Sequence, residues 1–144
     1  MSFRKILIAV DNESVAAHAV DVGVELGRSL GAELAFIHAI DPSLGFAPES
    51  GVSASELIEE AKRDGKHLLD GLCQRLPPPL SALEFLPIGK PAGEIIEAAK
   101  EWPADLIVIG SHGRGGVKRA LLGSVAEAVM RHATCPILVI RAKE

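Results

Sequence analysis

Five short runs of mainly aliphatic residues recur along the chain, and stretches of mixed polar and apolar residues separate them. An almost unbroken apolar run of about four to eight residues is typical of a strand covered on both faces, as the strands of a parallel sheet are. The pattern therefore predicts five strands, over residues 5–10, 33–40, 83–88, 105–110 and 136–141.

The separating stretches carry apolar residues at the three- and four-residue spacing of amphipathic helices. Ser53 and Glu56 have capping-box spacing at the start of one helix, and Pro91 fits the first position of another. Gly31 fits a C-terminal cap. The predicted helices span residues 14–30, 53–76, 91–102 and 125–132.

The alternation of strands and helices predicts the fold class. It indicates an α/β protein with a five-stranded parallel doubly wound sheet in the order βαβαβαβαβ, helices on both faces, and a single domain over residues 1–144. Ligands of such sheets bind beyond the carboxyl ends of the strands, where the strand order reverses. Asp11 and segments 40–41 and 110–113 should lie there. The adjoining loop, residues 42–51, is either a connector or a lid.

The composition narrows the possible functions. The chain has 144 residues, 48% of them hydrophobic, and a formal net charge of −4, which argues against a general nucleic-acid binder. No uncharged apolar run approaches the roughly 20 residues that span a bilayer, so we expect no membrane partner. Because there are only two cysteines and no export signal at the N-terminus, we expect a cytoplasmic protein.

A glycine-rich stretch follows the fourth predicted strand. It has the form Gly110-x2-Gly113-x9-Gly123-Ser124 and leads directly into the last predicted helix. Glycines let a ligand approach main-chain N–H groups, and the first turn of a helix attracts anions. Residues 106–126 contain no Asp or Glu, but they include three positively charged residues, Arg114, Lys118 and Arg119. These features are typical of a phosphate site.

An alternative explanation of this stretch needs no ligand. Ser124 and Glu127 also have capping-box spacing, so the helix could be capped by its own side chains. Spacing alone supports the two interpretations about equally. The stretch is not a P-loop, because Gly116 occupies the position where that motif has lysine. Nor does it contain a G-x-G-x-x-G motif starting at Gly113, because the last position is Lys118.

The chain resembles the universal stress protein family. The resemblance rests on KILIAVD at residues 5–11, IHAID at 37–41, GKPAGEIIEAA at 89–99, and the whole segment from the glycine motif to the last strand, residues 110–141. It implies a doubly wound domain that forms a homodimer and, because the glycine motif is intact, binds ATP at the switch point.

The resemblance also implies the binding residues. Asp11 would contact the adenosine side, and the backbone of Ala39 would read the adenine. The full predicted set is Ala9, Asp11, Ala39, Ile109, Gly110, Gly113, Arg114, Gly123, Ser124 and Val125, of which Ile109 and Gly110 line the base and ribose and Gly113, Gly123, Ser124 and Val125 hold the phosphates. Two positions depart from the family pattern: Asn12-Glu13-Ser14 replaces the Gly-Ser that often follows Asp11, and alanine replaces the common valine at residue 39.

The function predicted first is a regulatory protein of the stress response that binds ATP, or AMP or ADP, with Mg²⁺. One alternative is slow ATP hydrolysis or phosphoryl transfer at the same site. Such chemistry needs metal ligands and a group that orients water, for which only Asp11 and Glu13 are candidates, so we expect at most a weak ATPase. Another alternative is a protein-interaction module without a ligand.

The last strand, predicted to begin at Pro136 and end at Arg141, is apolar. If it lies at the sheet edge, pairing with the same strand of a second subunit would cover it, which predicts a homodimer. A loop or the C-terminal tail is the alternative cover.

The remaining histidines and cysteines suggest packing more than chemistry. His38 lies in an apolar strand and is expected to be a satisfied, buried residue. His132 and Cys135 have ligand-like spacing, but no second pair completes a zinc site. Cys73 and Cys135 are interpreted as packing residues and His112 as an exposed loop residue.

Overall fold

The structure, a computed structural model, describes residues 2–11, 14–45, 51, 53–111 and 122–141, with the side chains of residues 14–16, 44 and 45 outside that description. The predicted order of strands and helices is confirmed. The elements are β1 (Lys5–Ala9), α1 (Ser14–Leu30), β2 (Glu33–Ile37), a 3-10 turn (Pro42–Gly45), α2 (Ala54–Gln74), β3 (Ala82–Phe85), α3 (Pro91–Glu101), β4 (Leu106–Gly110), α4 (Ser124–His132) and β5 (Ile137–Ile140).

The five strands form one parallel sheet in the spatial order β3-β2-β1-β4-β5. The chain first adds strands outward from β1 to β3, and then returns to place β4 on the other side of β1. The strand order therefore reverses between β1 and β4, and this is the switch point of a doubly wound sheet. The predicted fold class, a single α/β domain with a five-stranded parallel sheet, is confirmed.

Alternate residues of each central strand face opposite sides of the sheet and build two cores. Ile8, Phe36 and Val108 face α1 and α2, and Leu7, Ile37 and Ile107 face α3 and α4. All six side chains are at most 1% exposed. Because both faces are covered, the central strands read as continuous apolar runs in the sequence.

The roles predicted for Gly31, Ser53 and Pro91 at helix ends are confirmed, although α2 ends at Gln74 and α3 at Glu101, before the predicted residues 76 and 102, and α4 begins at Ser124. Gly31 has a φ of 64°, the left-handed conformation that suits a residue just past a helix, and the next N–H, that of Ala32, donates to Gly27 O at 2.9 Å. The hydroxyl of Ser53 accepts from the N–H of Glu56 at 3.2 Å. Pro91 opens α3.

Several predicted strands extend too far. The second was expected to reach residue 40, but β2 ends at Ile37, whose carbonyl accepts the last bond from β1, donated by Val10 N–H at 2.8 Å. Beyond it the described main-chain bonds of the segment run to the β3 side, and a single bridge pairs Ile40 with Ile88. Hydropathy cannot detect this end, because the residues remain apolar after the ladder stops.

The described part of the predicted loop at residues 42–51 includes the 3-10 turn, and Ser53, the cap of α2, follows the loop. Residues 46–50 and 52 lie outside the described residues, so the connector or lid predicted for this loop stays a prediction.

The strand β5 lies at one edge of the sheet, as the homodimer prediction requires. Ile137, Leu138 and Val139 are half-buried in the single chain. Among the described residues, none of the helices combines the length and the hydropathy that a membrane span would need.

Candidate functional site

A crevice opens between β1 and β4 at their carboxyl ends. The last residue pair that joins these two strands is Ile8 and Val108. The two strands then bond only to their outer neighbours: β1 stays paired with β2 as far as Ala9, and β4 stays paired with β5 as far as Gly110. The two strands separate above Ala9 and Ile109, which are both buried, at the edge where doubly wound sheets bind their ligands.

The exit of β2 presents main-chain groups towards this crevice. His38 and Ile40 donate their N–H groups to Phe85 O and Pro87 O, at 3.0 and 2.8 Å, on the β3 side. Because successive residues of an extended chain face opposite neighbours, the N–H and C=O of Ala39 point to the side of β1. The backbone of Ala39 can therefore offer one donor and one acceptor beside Asp11, which is half-buried.

The ring of His38 ties the exits of β1 and β2 together. Its Nδ1 lies 2.9 Å from Val10 O. A carbonyl oxygen only accepts, so Nδ1 carries the proton and donates it. His38 is satisfied, as predicted, but it is half-buried and not fully buried, and its ring joins the segment next to Asp11 to the exit of β1.

The N-terminus of α4 has no side-chain cap. Gly123 is the capping residue, with φ −72° and ψ 164°, and its carbonyl accepts the N–H of Glu127 at 2.9 Å. In the part of the chain that is described, the N–H groups of Ser124, Val125 and Ala126 have no acceptor. Glu127 pairs instead with Arg131 at 2.8 Å. The self-capped alternative is therefore wrong, because Gly123 and not Ser124 is the capping residue and no side chain caps the helix. Among the described residues, three donors at the positive end of the helix remain for an anion.

The peptide groups of Ser111 position this helix on the sheet. The N–H of Ser111 donates to Ile140 O at 2.7 Å, and its carbonyl accepts the N–H of Gly123 at 2.5 Å. Ser111 itself is 3% exposed. The start of α4 is thereby fixed at the end of β4, next to the crevice.

Most of the predicted site residues meet at this edge. Ala9, Asp11, Ile109, Gly110, Gly123, Ser124 and Val125 surround the switch point, and Ala39 lies at the neighbouring strand exit. Gly113 and Arg114 lie outside the described residues, as do Lys118 and Arg119. Sequence reasoning missed Ser111, which occupies a variable position of the motif, and Ala126, which lies just after it. Both contribute main-chain groups, which no residue type reveals.

The carboxylate of Asp41 lies just beyond the exit of β2. The N–H of Ser43 donates to its Oδ1 at 2.9 Å, and this bond holds the pKa of Asp41 below its usual range. The group is therefore ionised at neutral pH. Within the described ranges, no three side chains of His, Cys, Asp or Glu converge on a possible metal position.

The two cysteines are packed thiols, as predicted. Cys73 packs against the core on the α2 side and Cys135 against the core on the α4 side. Burial, with a further contribution from Glu84, raises the pKa of Cys73 to about 11, and burial also raises the pKa of Cys135. Since the thiolate is the reactive form, neither group suits nucleophilic chemistry near pH 7.

The raised pKa of Cys73 predicts slow reaction with a thiol reagent in the native protein. In a Cys135→Ser variant at pH 8, we expect Cys73 to react at least tenfold faster after unfolding in urea, because its pKa then returns to about 8.5. The native rate should keep rising with pH beyond 9. Equal rates in the native and unfolded protein would contradict the assignment.

Comparisons with known proteins identify the family of this chain. The sequence model of the universal stress protein family matches residues 2–141. The chain belongs to the universal stress protein family. Universal stress protein YxiE of Bacillus subtilis is 33% identical over 149 residues, which cover 96% of this chain and 99% of that protein.

Solved structures of the family share the whole fold. Universal stress protein UspA from Lactobacillus plantarum superposes with a TM-score of 0.87 at 27% identity, covering 98% of this chain and 99% of that one. The universal stress protein from Archaeoglobus fulgidus, solved in complex with dAMP, superposes with a TM-score of 0.65 at 26% identity and covers 99% of this chain and 100% of that one.

Proposed function

We propose that this universal stress protein binds an adenine nucleotide, ATP, ADP or AMP, in the crevice between β1 and β4. The uncapped N-terminus of α4 carries the proposal, because its three N–H donors lie beside the crevice and match a phosphate group. The complex of the Archaeoglobus fulgidus relative with dAMP supports the choice of an adenine nucleotide.

The proposed orientation of the nucleotide follows from the N–H groups at the start of α4, which suit phosphates, and from the main chain of Ala39, which suits the base. The phosphates lie at Gly123, Ser124 and Val125, with Gly113 and Arg114 completing their surroundings. The adenosine lies against Asp11, Ile109 and Gly110, where the N–H and C=O of Ala39 can pair with one edge of the base. The side chain at residue 39 does not take part, so alanine in place of valine is tolerated.

The proposal includes a Mg²⁺ ion that enters with the nucleotide. Since the described residues offer no converging set of three metal ligands, the ion would be held chiefly by phosphate oxygens and water, the ligands that Mg²⁺ prefers. Asp11, which follows β1 at this edge of the sheet, could reach such an ion through water.

Nucleotide occupancy is proposed to act as a signal in the stress response, through a cytoplasmic homodimer that pairs β5 of one subunit with β5 of the other. The position of β5 at a sheet edge supports this arrangement. Sedimentation of the purified chain with and without ATP would show whether it is a dimer and whether the nucleotide changes that state.

Calorimetric titration of the full chain tests the binding. We expect saturable heat with ATP, ADP and AMP in the presence of Mg²⁺, and weaker binding of adenosine, which has no phosphate for α4. GTP is the control for the base. No heat with any adenine nucleotide up to millimolar concentration would refute the proposal. Release of inorganic phosphate from the same samples separates binding from hydrolysis.

A further inference from the structure

A second concave surface lies at the opposite edge of the sheet from β5. It is a groove of about 570 Å³ between β3 and the flank of α3. Its walls and floor include Leu83, Phe85, Glu94, Glu97, Glu101 and Trp102. We name this surface the β3–α3 groove. Because β2 separates β3 from β1, the groove is distinct from the nucleotide crevice.

The floor of the β3–α3 groove is apolar and partly open to solvent. Leu83 is 51% exposed, an unusual value for leucine in a strand. The rings of Phe85 and Trp102 meet edge to face, with centroids 6.2 Å apart. One side of Trp102 is near Lys5, whose Nζ lies 5.6 Å from the ring centroid. Such a floor suits an aliphatic side chain or the stem of a long basic one.

The wall formed by α3 is acidic. Glu94, Glu97 and Glu101 follow one another at intervals of three and four residues, so they share one stripe of the helix. None of the three has an ion-pair partner among the described residues, and no lysine or arginine lines the groove. The acidic residue on the strand, Glu84, is paired with Lys66 at 3.2 Å. The free negative charge therefore comes from α3 and attracts a cationic partner.

Among the described residues, no strand pairs with the outer edge of β3, which forms the other wall. Phe85 O and Pro87 O bond to the segment after β2, so these residues direct their main-chain groups inward. Glu84 and Leu86, which alternate with them, direct their N–H and C=O groups outward. An edge of this kind can accept an additional strand. Its exposed length, from residue 83 to 87, is about 13 Å, enough for four or five residues of an extended peptide.

We propose that the β3–α3 groove binds an extended segment of a partner protein in which lysine or arginine alternates with small polar residues around a central aliphatic side chain. The segment adds to the edge of β3. Side chains at every second position then face α3, where the aliphatic one contacts Leu83 and Phe85 and the basic ones lie against Glu97 and Glu101. The intervening side chains face away from the groove.

The single tryptophan of the chain makes this proposal directly testable, because Trp102 lies in the groove. The probe is the capped peptide Thr-Lys-Thr-Leu-Thr-Lys-Thr, titrated into the full chain while Trp102 fluorescence is recorded. The control peptide has glutamate in place of both lysines. We expect a saturable change in fluorescence with the lysine peptide alone, and slower hydrogen exchange at the amides of Glu84 and Leu86.

Charge reversal on α3 distinguishes this groove from general attraction to an acidic protein. We expect Glu97→Lys with Glu101→Lys to weaken peptide binding about tenfold. The matched control is Glu60→Lys with Asp64→Lys, which reverses two exposed charges at the same spacing on α2 and should change binding by less than about twofold. Circular dichroism checks that both variants are folded.

Three results would overturn the proposal. The first is no fluorescence change up to millimolar peptide, and the second is equal weakening by the two charge-reversed variants. The third is self-association of the chain that is lost in the α3 variant, because the occupant would then be a second copy. None of these results bears on nucleotide binding, since the crevice and the groove share no residue.

Discussion

Replacing Ser124 with proline is expected to weaken the binding of ATP, ADP and AMP by about tenfold to a hundredfold while the fold is preserved. The substitution removes one N–H donor from the first turn of α4. A hydrogen bond to a charged group contributes about 1.5–3 kcal/mol, which corresponds to that loss of affinity. This prediction rests on the proposed function and tests the position of the phosphates within it.

The local backbone favours a folded proline variant. Ser124 is the first residue of α4, a position where proline is common because its N–H takes no part in the helical ladder. The preceding residue, Gly123, already has the extended conformation that a following proline requires, with φ −72° and ψ 164°. We therefore expect the urea unfolding midpoint of Ser124→Pro to stay close to that of the native chain.

Two controls isolate the N–H group. Ser124→Ala keeps the donor and loses only the hydroxyl, so it should bind nucleotides more tightly than Ser124→Pro. Adenosine has no phosphate, and its affinity should be the same for the native chain and for both variants. If titration calorimetry gives Ser124→Pro the native affinity for ATP, the phosphates do not bind at α4.

Leu34→Ala is expected to lower the free energy of unfolding by about 3 kcal/mol, within the range of about 2–5 kcal/mol for removal of a buried leucine side chain. Leu34 is 2% exposed, lies in β2 and belongs to the core on the α1 and α2 side. A domain of this size is stable by only about 5–15 kcal/mol. This one substitution should therefore remove a large part of the stability.

The control for Leu34→Ala is the same chemical change one strand away. Leu83 lies in β3 and is 51% exposed, so Leu83→Ala should cost less than about 1 kcal/mol. Urea unfolding at 25 °C with equal slopes for the variants gives both values. Similar losses for the two variants would contradict the assignment of the core.

Much of the fold could be predicted from the sequence because its signals are local. The unbroken apolar runs identify the central strands, and Gly31, Ser53 and Pro91 mark helix ends through their own backbone or side-chain chemistry. Strand ends were less predictable. The residues after Ile37 remain apolar, and only the loss of bonding to β1 ends the strand there, which depends on how far two separate segments stay parallel.

The residues of the candidate site could be predicted where a particular residue type is needed, but not where only main-chain groups contribute. The glycines of the motif and Asp11 are visible in the sequence, whereas Ser111 and Ala126 contribute main-chain groups that any residue could supply. Capping-box spacing was misleading at Ser124, because Glu127 pairs with Arg131 and Gly123 becomes the cap. Spacing permits a cap, but it does not fix the residue at which the helix begins, which here places Ser124 inside the helix.

The divergence of β1 and β4 has a consequence for how a ligand would bind. On the side away from the crevice, β1 stays hydrogen-bonded to β2 and β4 stays hydrogen-bonded to β5. The crevice therefore follows from the strand order, and neither outer pairing is lost. The walls of the crevice are therefore preorganised when folding is complete, and a ligand need not separate packed strands to enter. Little of the interaction free energy should then be spent on rearranging the sheet. A bound nucleotide should stabilise the folded domain by an amount set by its concentration relative to its Kd.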